Sequence, residues 1–295
     1  MSVSVELATA RPADPPWRGI GGDDVRGLVV AQQVNDSYFL TLREALRASG
    51  SAEYFIVDLR SDGDEWLTTR LYLFSYLLSR LKGVRMVVFV ATREDVARSF
   101  LAVAPVDAVT RALAAAQPWL RQARFEAEAN HLGRLPNPPT PPMAPVPGAS
   151  APTVLPDADE WWAGVRAGSI YVDPLQVAQQ FLERVQGQQQ PDTRDPEAGW
   201  LRLPEQPGRA TTWEHATWLR SVDLTDGLLR EVVQPEWFLV DDRSWTTEER
   251  VRAVAAAPGE FVALLTQSRR FDRLVDRRSL LATVGESCAS SAKAG

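Results

Sequence analysis

Residues 54–90 contain two short apolar runs separated by one helical segment, and this arrangement restricts the fold more than any other feature. The first run is Tyr54–Leu59, and the second, rich in β-branched residues, is Val84–Val90. Between them a polar turn precedes Glu65–Lys82, where apolar residues recur with the spacing of an amphipathic helix. Two almost continuous apolar strands joined by a helix are typical of a right-handed βαβ crossover in a buried parallel sheet.

The sequence on either side extends this prediction. Leu28–Ala31 is expected to be another strand. Arg93–Ala102 is predicted to be a helix, because a threonine precedes it in the N-cap position. Pro105–Ala116 and Trp119–Leu132 are predicted to be helices that begin at or just after prolines. The predicted fold class is α/β, a small parallel sheet with helices on both faces, followed by a second α+β domain.

A proline-rich stretch marks the predicted domain boundary. Residues 134–156 contain nine prolines and few large apolar side chains, a composition typical of a semi-rigid, extended linker. The predicted organisation is an α/β domain over residues 1–133, this linker, an α+β domain over 157–285 and a flexible tail over 286–295. No internal repeat of fixed period is visible in the sequence.

Composition argues against several classes of function. The net charge of −6 and the pI near 5.2 do not suit a general nucleic-acid binder, which normally has a basic surface. Neither of the lysines, Lys82 and Lys293, lies in a GxxxxGK[ST] loop, so a P-loop nucleotide site is excluded. The two histidines and Cys288 form no cluster with the spacing of metal ligands, and no metal or cofactor is expected.

The cysteine content, the amino terminus and the arginine content predict a cytoplasmic bacterial protein. Cys288 is the only cysteine, so no disulfide can form within the chain, which suits a reducing compartment. The amino terminus lacks the pattern of a signal peptide, and the longest apolar segment, around Leu67–Leu81, contains arginines and is too short to span a bilayer. Arginine supplies nearly all of the positive charge, which is typical of a GC-rich bacterial genome.

The turn after the first strand is the candidate binding site. Its residues are Ser61, Asp62, Gly63 and Asp64. In open α/β sheets, ligands bind where a strand ends and the next helix begins, and the N–H groups there favour an anion. The aspartates would repel an anion and can cap the helix themselves. Three interpretations follow: capping, docking of an anion or a partner, and binding of a divalent cation together with Asp58.

This part of the chain is similar to a known family. The order of Phe55–Leu59, a variable turn, Trp66–Leu71 and Val84–Val90 resembles the core of STAS domains, the anti-sigma-factor antagonist fold. Those domains have a strand, an Asp-Leu turn, a serine-bearing motif that opens a helix, and the next strand. The resemblance implies that Thr69, with Thr68 beside it, occupies the position of the phosphorylatable serine.

The carboxyl-terminal segment has a different resemblance. Phe261–Thr266 and Phe271–Val275 are predicted to form a hairpin, and a helix is predicted to follow. This order is similar to the second half of a CBS (cystathionine-β-synthase-type) repeat. The resemblance implies that Asp276, near the last helix, can hold the ribose of an adenine nucleotide.

These features favour a non-enzymatic interaction or regulatory module whose partners are other proteins of the same bacterial system. The ten tryptophans are spread along the chain, which suits cores and protein interfaces, and His215 is expected to pack against indole. No catalytic residue is assigned under this interpretation. One alternative is an enzyme or metal-dependent hydrolase that uses Asp58, Asp62 and Asp64. The other is an adenine-nucleotide sensor in the carboxyl-terminal domain.

Overall fold

The described part of the chain combines helices with small sheets, so the expected mixed α/β class is confirmed. The structure is a computed structural model. It describes residues 27–30, 53–60, 66–132, 174–187, 199–203, 213–242, 244–282 and 284. The chain divides into two compact units: unit 1 takes the chain up to Ala116 and from Trp218 onward, and unit 2 is Gln117–Thr217.

The first half of unit 1 contains a four-stranded sheet. β1 (Gly27–Val30), β2 (Tyr54–Asp58) and β3 (Met86–Arg93) are parallel neighbours in that order. β4 (Val96–Pro105) pairs with β3 in the antiparallel direction. The side chains of β2 and β3 are mostly buried, as is usual for apolar strands inside a sheet.

The helix between β2 and β3, α1 (Thr68–Lys82), is buried around its whole circumference rather than along one face. Every residue from Thr68 to Leu78 is buried, and the helix packs against α2 (Val106–Ala116). Leucine, tyrosine and phenylalanine occur on all of its faces, and a helix of that kind has no side suited to water. Gly83 ends it with a φ of 69°, the left-handed conformation common at helix C-termini.

The predicted helix at Arg93–Ala102 is wrong, because most of this segment belongs to β4. A two-residue turn joins β3 to β4, and both of its residues, Glu94 and Asp95, have positive φ, at 48° and 64°. Consecutive positive φ values are typical of the turns in tight β-hairpins. The turn contains no glycine or asparagine that would predict it, whereas Thr92 and the acidic residues after it resemble a helix cap.

The described part of unit 2 contains two helices and a small antiparallel sheet. Its elements are α3 (Pro118–Leu132), α4 (Pro174–Val185), β5 (Gln186–Gly187), β6 (Trp200–Arg202) and β7 (Trp213–His215). The two helices pack against each other, and β7 is the central strand of the sheet. The helix predicted at Trp119–Leu132 corresponds to α3.

The second half of unit 1 contains a three-stranded sheet. Its elements are α5 (Ser221–Thr225), β8 (Phe238–Val240), α6 (Thr247–Ala256), β9 (Phe261–Leu265), β10 (Phe271–Asp276) and a closing helix over 277–282. β8 and β9 are parallel, and β9 and β10 form the predicted hairpin. A capping box starts α6, in which Thr246 and Glu249 each accept the other's backbone N–H.

The two halves of unit 1 share one element order and one register. In chain order, the first half contains β2, α1, β3, β4 and α2. The corresponding elements of the second half, in the same order, are β8, α6, β9, β10 and the closing helix. Each hairpin has a bulge at the same step: Ala102 and Phe100 face consecutive residues of β3, while Arg273 and Phe271 face consecutive residues of β9. Matching bulges indicate a common local structure, because a bulge fixes the twist and register of its hairpin.

Backbone hydrogen bonds outside the ladders repeat as well. After β2, the N–H of Leu59 donates to the carbonyl of Val90 at 2.8 Å. After β8, the N–H of Asp241 donates to the carbonyl of Leu265, also at 2.8 Å. The correspondence therefore extends from the strands into the turns that follow them.

Equivalent residues meet where the halves join. Ser99 and Arg270 occupy the same position in the two hairpins and form an antiparallel bridge with each other. The residues before them, Arg98 and Arg269, have left-handed φ values of 60° and 62°. Two equivalent residues that face each other lie on an approximate two-fold axis, so the halves of unit 1 are related by pseudo-two-fold symmetry.

One apolar core joins the two halves. Its buried members are Tyr54, Ile56, Met86, Val88, Val90 and Val103 from the first half, and Phe261, Ala263, Leu265, Phe271 and Leu274 from the second. The ring of Phe100 packs against those of Phe238 and Phe271, with centroid separations of 5.9 and 6.5 Å. Separating the halves would expose this apolar surface to water, at a cost of roughly 25 cal/mol per Å².

This shared core produces a division of the chain that differs from the expected one at residues 134–156. The described residues from Trp218 onward are grouped with the chain up to Ala116, and α3 is grouped with unit 2 rather than with the first domain. The expected linker and the tail at 286–295 lie outside the described residues. The repeat has no fixed period, because the offset between matching strands changes from one pair to the next.

Candidate functional site

At the carboxyl edge of the parallel strands, Asp58 forms a local turn. Its Oδ1 accepts the N–H of Arg60 at 2.8 Å. Arg60 has a φ of 50°, and its carbonyl accepts the N–H of Thr92 at 2.6 Å. This is the pattern of an Asx turn, in which a carboxylate stabilises the reversal of the chain. The other residues of the expected site, Ser61, Asp62, Gly63 and Asp64, lie outside the described residues.

The two candidate threonines are inside the protein. Thr68 and Thr69 lie in the first turn of α1 and are 1% and 0% exposed. The residue before them, Leu67, has extended backbone angles and takes the N-cap position without a side-chain hydrogen bond. A kinase needs an extended, accessible hydroxyl, so the structure places Thr69 out of its reach unless this helix start opens.

The corresponding edge of the second half also has aspartates, which sequence reasoning did not single out. Asp241 Oδ1 accepts the Nε–H of Arg250 at 2.8 Å, and the side chain of Arg250 is only 8% exposed. Asp242 Oδ1 accepts both the backbone N–H and the hydroxyl of Ser244, which lower the pKa of that carboxyl. Both carboxylates therefore stabilise the turn before α6.

Four charged residues join the halves of unit 1 at the opposite, amino edge of the parallel strands. Arg85 precedes β3 and Glu260 precedes β9, so they are equivalent, and Arg85 Nη2 lies 2.8 Å from Glu260 Oε1. Arg85 Nη1 lies 3.3 Å from Asp276 Oδ2. The guanidinium also lies over the ring of Phe261, 4.7 Å from its centroid. We call Glu53, Arg85, Glu260 and Asp276 the arginine clasp.

Asp276 is the most thoroughly hydrogen-bonded member of the clasp. It is 6% exposed. Its Oδ1 accepts the N–H groups of Arg278 and Ser279 at 2.9 and 3.3 Å, and its Oδ2 accepts the Ser279 hydroxyl at 3.0 Å. The side chain therefore caps the closing helix while it binds Arg85. Ribose hydroxyls at this carboxylate would have to share it with these donors.

The surroundings of the Glu53 carboxylate differ from those of the Asp276 carboxylate. Its backbone carbonyl accepts the N–H groups of Arg85 and Met86 at 2.8 and 3.1 Å, which holds it at the start of β2. Its carboxylate Oε2 is buried and has no hydrogen-bond partner among the residues that the structure describes. Burial is the largest cause that raises the pKa of this carboxyl; the charge of Asp276 raises it further, and Arg85 acts against both.

Unit 2 contains an aromatic stack around His215. The imidazole is parallel to the ring of Trp119 at 3.8 Å and to that of Trp200 at 4.9 Å. The Nε1–H of Trp119 donates to the backbone carbonyl of His215 at 3.1 Å. The expected packing of His215 against indole is confirmed, although these two indoles are distant from it in sequence.

Neither a metal site nor a membrane helix is found in the described ranges: no group of three or more possible ligands is suitably placed, and no helix is long and apolar enough to cross a bilayer. No protein-family model matches the chain, and neither a curated protein nor a solved structure was found to be similar to it.

The Asp58 turn gives a prediction that separates a structural from a chemical role. Asp58→Ala should lower the free energy of unfolding by about 1 kcal/mol, because the N–H of Arg60 loses its acceptor. Asp58→Asn keeps a side-chain oxygen and should be close to wild type. Urea unfolding of the three proteins tests this. A loss in Asp58→Asn as large as that in Asp58→Ala would show that the charge, rather than the turn, is what matters.

Proposed function

We propose that this chain is a non-enzymatic regulatory module that acts through contacts with other proteins of the same bacterial system. The observation that carries this proposal is the internal duplication: two matching halves share one core and one cluster of ion pairs. Units that pack through a common interface can shift relative to each other when a ligand or partner favours one arrangement. A regulatory protein needs two arrangements of this kind, between which a ligand or partner can shift it.

The aspartates at the carboxyl edge of the parallel strands support the same proposal. Asp58 stabilises a turn, and Asp241 binds the buried Arg250 at 2.8 Å. These carboxylates make local structural contacts in both halves, and this favours a structural role over the acidic-site alternative. The single Cys288 supports a reducing, cytoplasmic location for the module.

The fold proposal is that unit 1 is a pair of CBS-like repeats. Each half has a strand, a helix, two strands joined by a hairpin and a helix, and the second half contains the residues on which that resemblance depends. The STAS-like outline, in which helices cover both faces of a parallel sheet, stays an alternative for the first half. The antiparallel strand β4 favours the repeat.

Binding to neighbouring gene products tests the module. The full chain is mixed with each purified product, and complexes are measured by size-exclusion chromatography with light scattering. We expect a complex of defined stoichiometry, formed equally well by the Asp58→Asn variant. Hydrolase turnover that Asp58→Asn abolishes, with no complex formed, would support the enzyme alternative and contradict the proposal.

An adenine-nucleotide sensor is the second candidate, and one observation favours it: Asp276 lies at the start of the closing helix, where the CBS-type resemblance expects a ribose ligand. ATP, ADP or AMP should then raise the melting temperature, since a ligand that binds only the folded state stabilises it. Asp276→Asn should remove most of that increment, whereas Asp272→Asn, an exposed acid of the same strand, should keep it. Equal increments in both variants would reject this site.

A further inference from the structure

The arginine clasp contains more negative than positive charge. Three carboxylates, those of Glu53, Glu260 and Asp276, face the single guanidinium of Arg85. Arg85 and Glu53 come from the first half of unit 1, and the other two carboxylates come from the second. The excess charge therefore lies across the junction of the two halves, where repulsion acts against their packing.

The hydrogen bonds distinguish Glu53 from the other two carboxylates of the clasp. Asp276 accepts hydrogen bonds from Arg85, Arg278 and Ser279. Glu260 binds Arg85 at 2.8 Å and is 42% exposed, so water also solvates it. Glu53 differs from both, since no described residue donates a hydrogen bond to its buried Oε2.

We propose that Glu53 is a proton-binding switch that sets how firmly the two halves of unit 1 hold each other. In its ionised form the Glu53 carboxylate repels Asp276 across the junction. When Glu53 binds a proton, that repulsion ends, and the clasp keeps two carboxylates for one arginine. The proposal concerns regulation and does not depend on the identity of the partner.

The other charged groups around Glu53 do not replace it in this role. Tyr54 follows it in β2, and burial raises the pKa of that phenol to about 12, so it stays neutral over the physiological range. Near Tyr54, the side chain of Asp272 pairs with that of Arg273 at 3.0 Å. In the closing helix, Arg277 donates to the carbonyl of Ala257 at 2.6 Å.

The direction of the pH effect follows from linkage. Burial and Asp276 raise the pKa of Glu53 in the folded protein above its usual 4.5, so the folded state binds this proton more tightly than the unfolded state. The contribution to stability is fully present below the unfolded pKa and is lost as the pH rises through the folded pKa. Acidification through this window therefore tightens the junction.

The test compares the full chain with Glu53→Gln, which mimics the protonated side chain, between pH 5 and pH 8. At pH 7.5 Glu53→Gln should melt about 2–4 °C higher than wild type, and the difference should shrink toward zero as the pH falls. Asp272→Asn is the matched control, because it removes an exposed carboxylate that lies outside the clasp, and its melting temperature should change with pH as that of wild type does.

Amide hydrogen exchange separates the switch from a general change in stability. At pH 7.5 the N–H groups of Arg278 and Ser279, which donate to Asp276, should exchange faster in wild type than in Glu53→Gln. The two proteins should become more alike as the pH falls through the folded pKa of Glu53. A Glu53→Gln protein that is less stable than wild type at pH 7.5, or a melting difference that does not change with pH, would overturn the proposal.

Discussion

The apolar core shared by the two halves of unit 1 is the constraint on which the other features depend. Val88 and Ala263 are equivalent residues of β3 and β9, and both are fully buried in that core. Either sheet alone would leave its apolar face in water. Packing the two faces together fixes the pseudo-two-fold axis, the bridge at Ser99 and Arg270, and the meeting of Arg85 with the second half.

The core also explains the chemistry at the two edges of the sheets. At the carboxyl edge, Asp58 and Asp241 stabilise the chain after equivalent strands by local contacts. At the amino edge, equivalent positions carry opposite charges, Arg85 and Glu260, and they bind each other. The pair is exposed and contributes little by itself. Its charges nevertheless favour the packing of a first half against a second half. Two copies of the first half would bring two arginines together at this position, and two copies of the second half would bring two glutamates together.

The sequence predicted those elements whose apolar residues or end signals can be recognised from neighbouring residues alone. The run at Tyr54–Leu59 and the helix ended by Gly83 are found close to where they were expected, since burial and capping act locally. β4 was missed because its turn at Glu94 and Asp95 depends on backbone angles that these residues rarely adopt. The duplication was missed for another reason. Only Val87 with Val262 and Phe100 with Phe271 keep the residue type among the paired hairpin positions.

Native-state hydrogen exchange of the Val88→Ala variant tests the shared core most directly, because exchange reports the opening free energy of each strand. We expect this truncation in β3 to lower the protection of β9 amides, including that of Ala263, by nearly as much as it lowers the protection of β3. Protection in β9 that stays at the wild-type level while β3 loses it would contradict the account, since the two halves would then have independent cores.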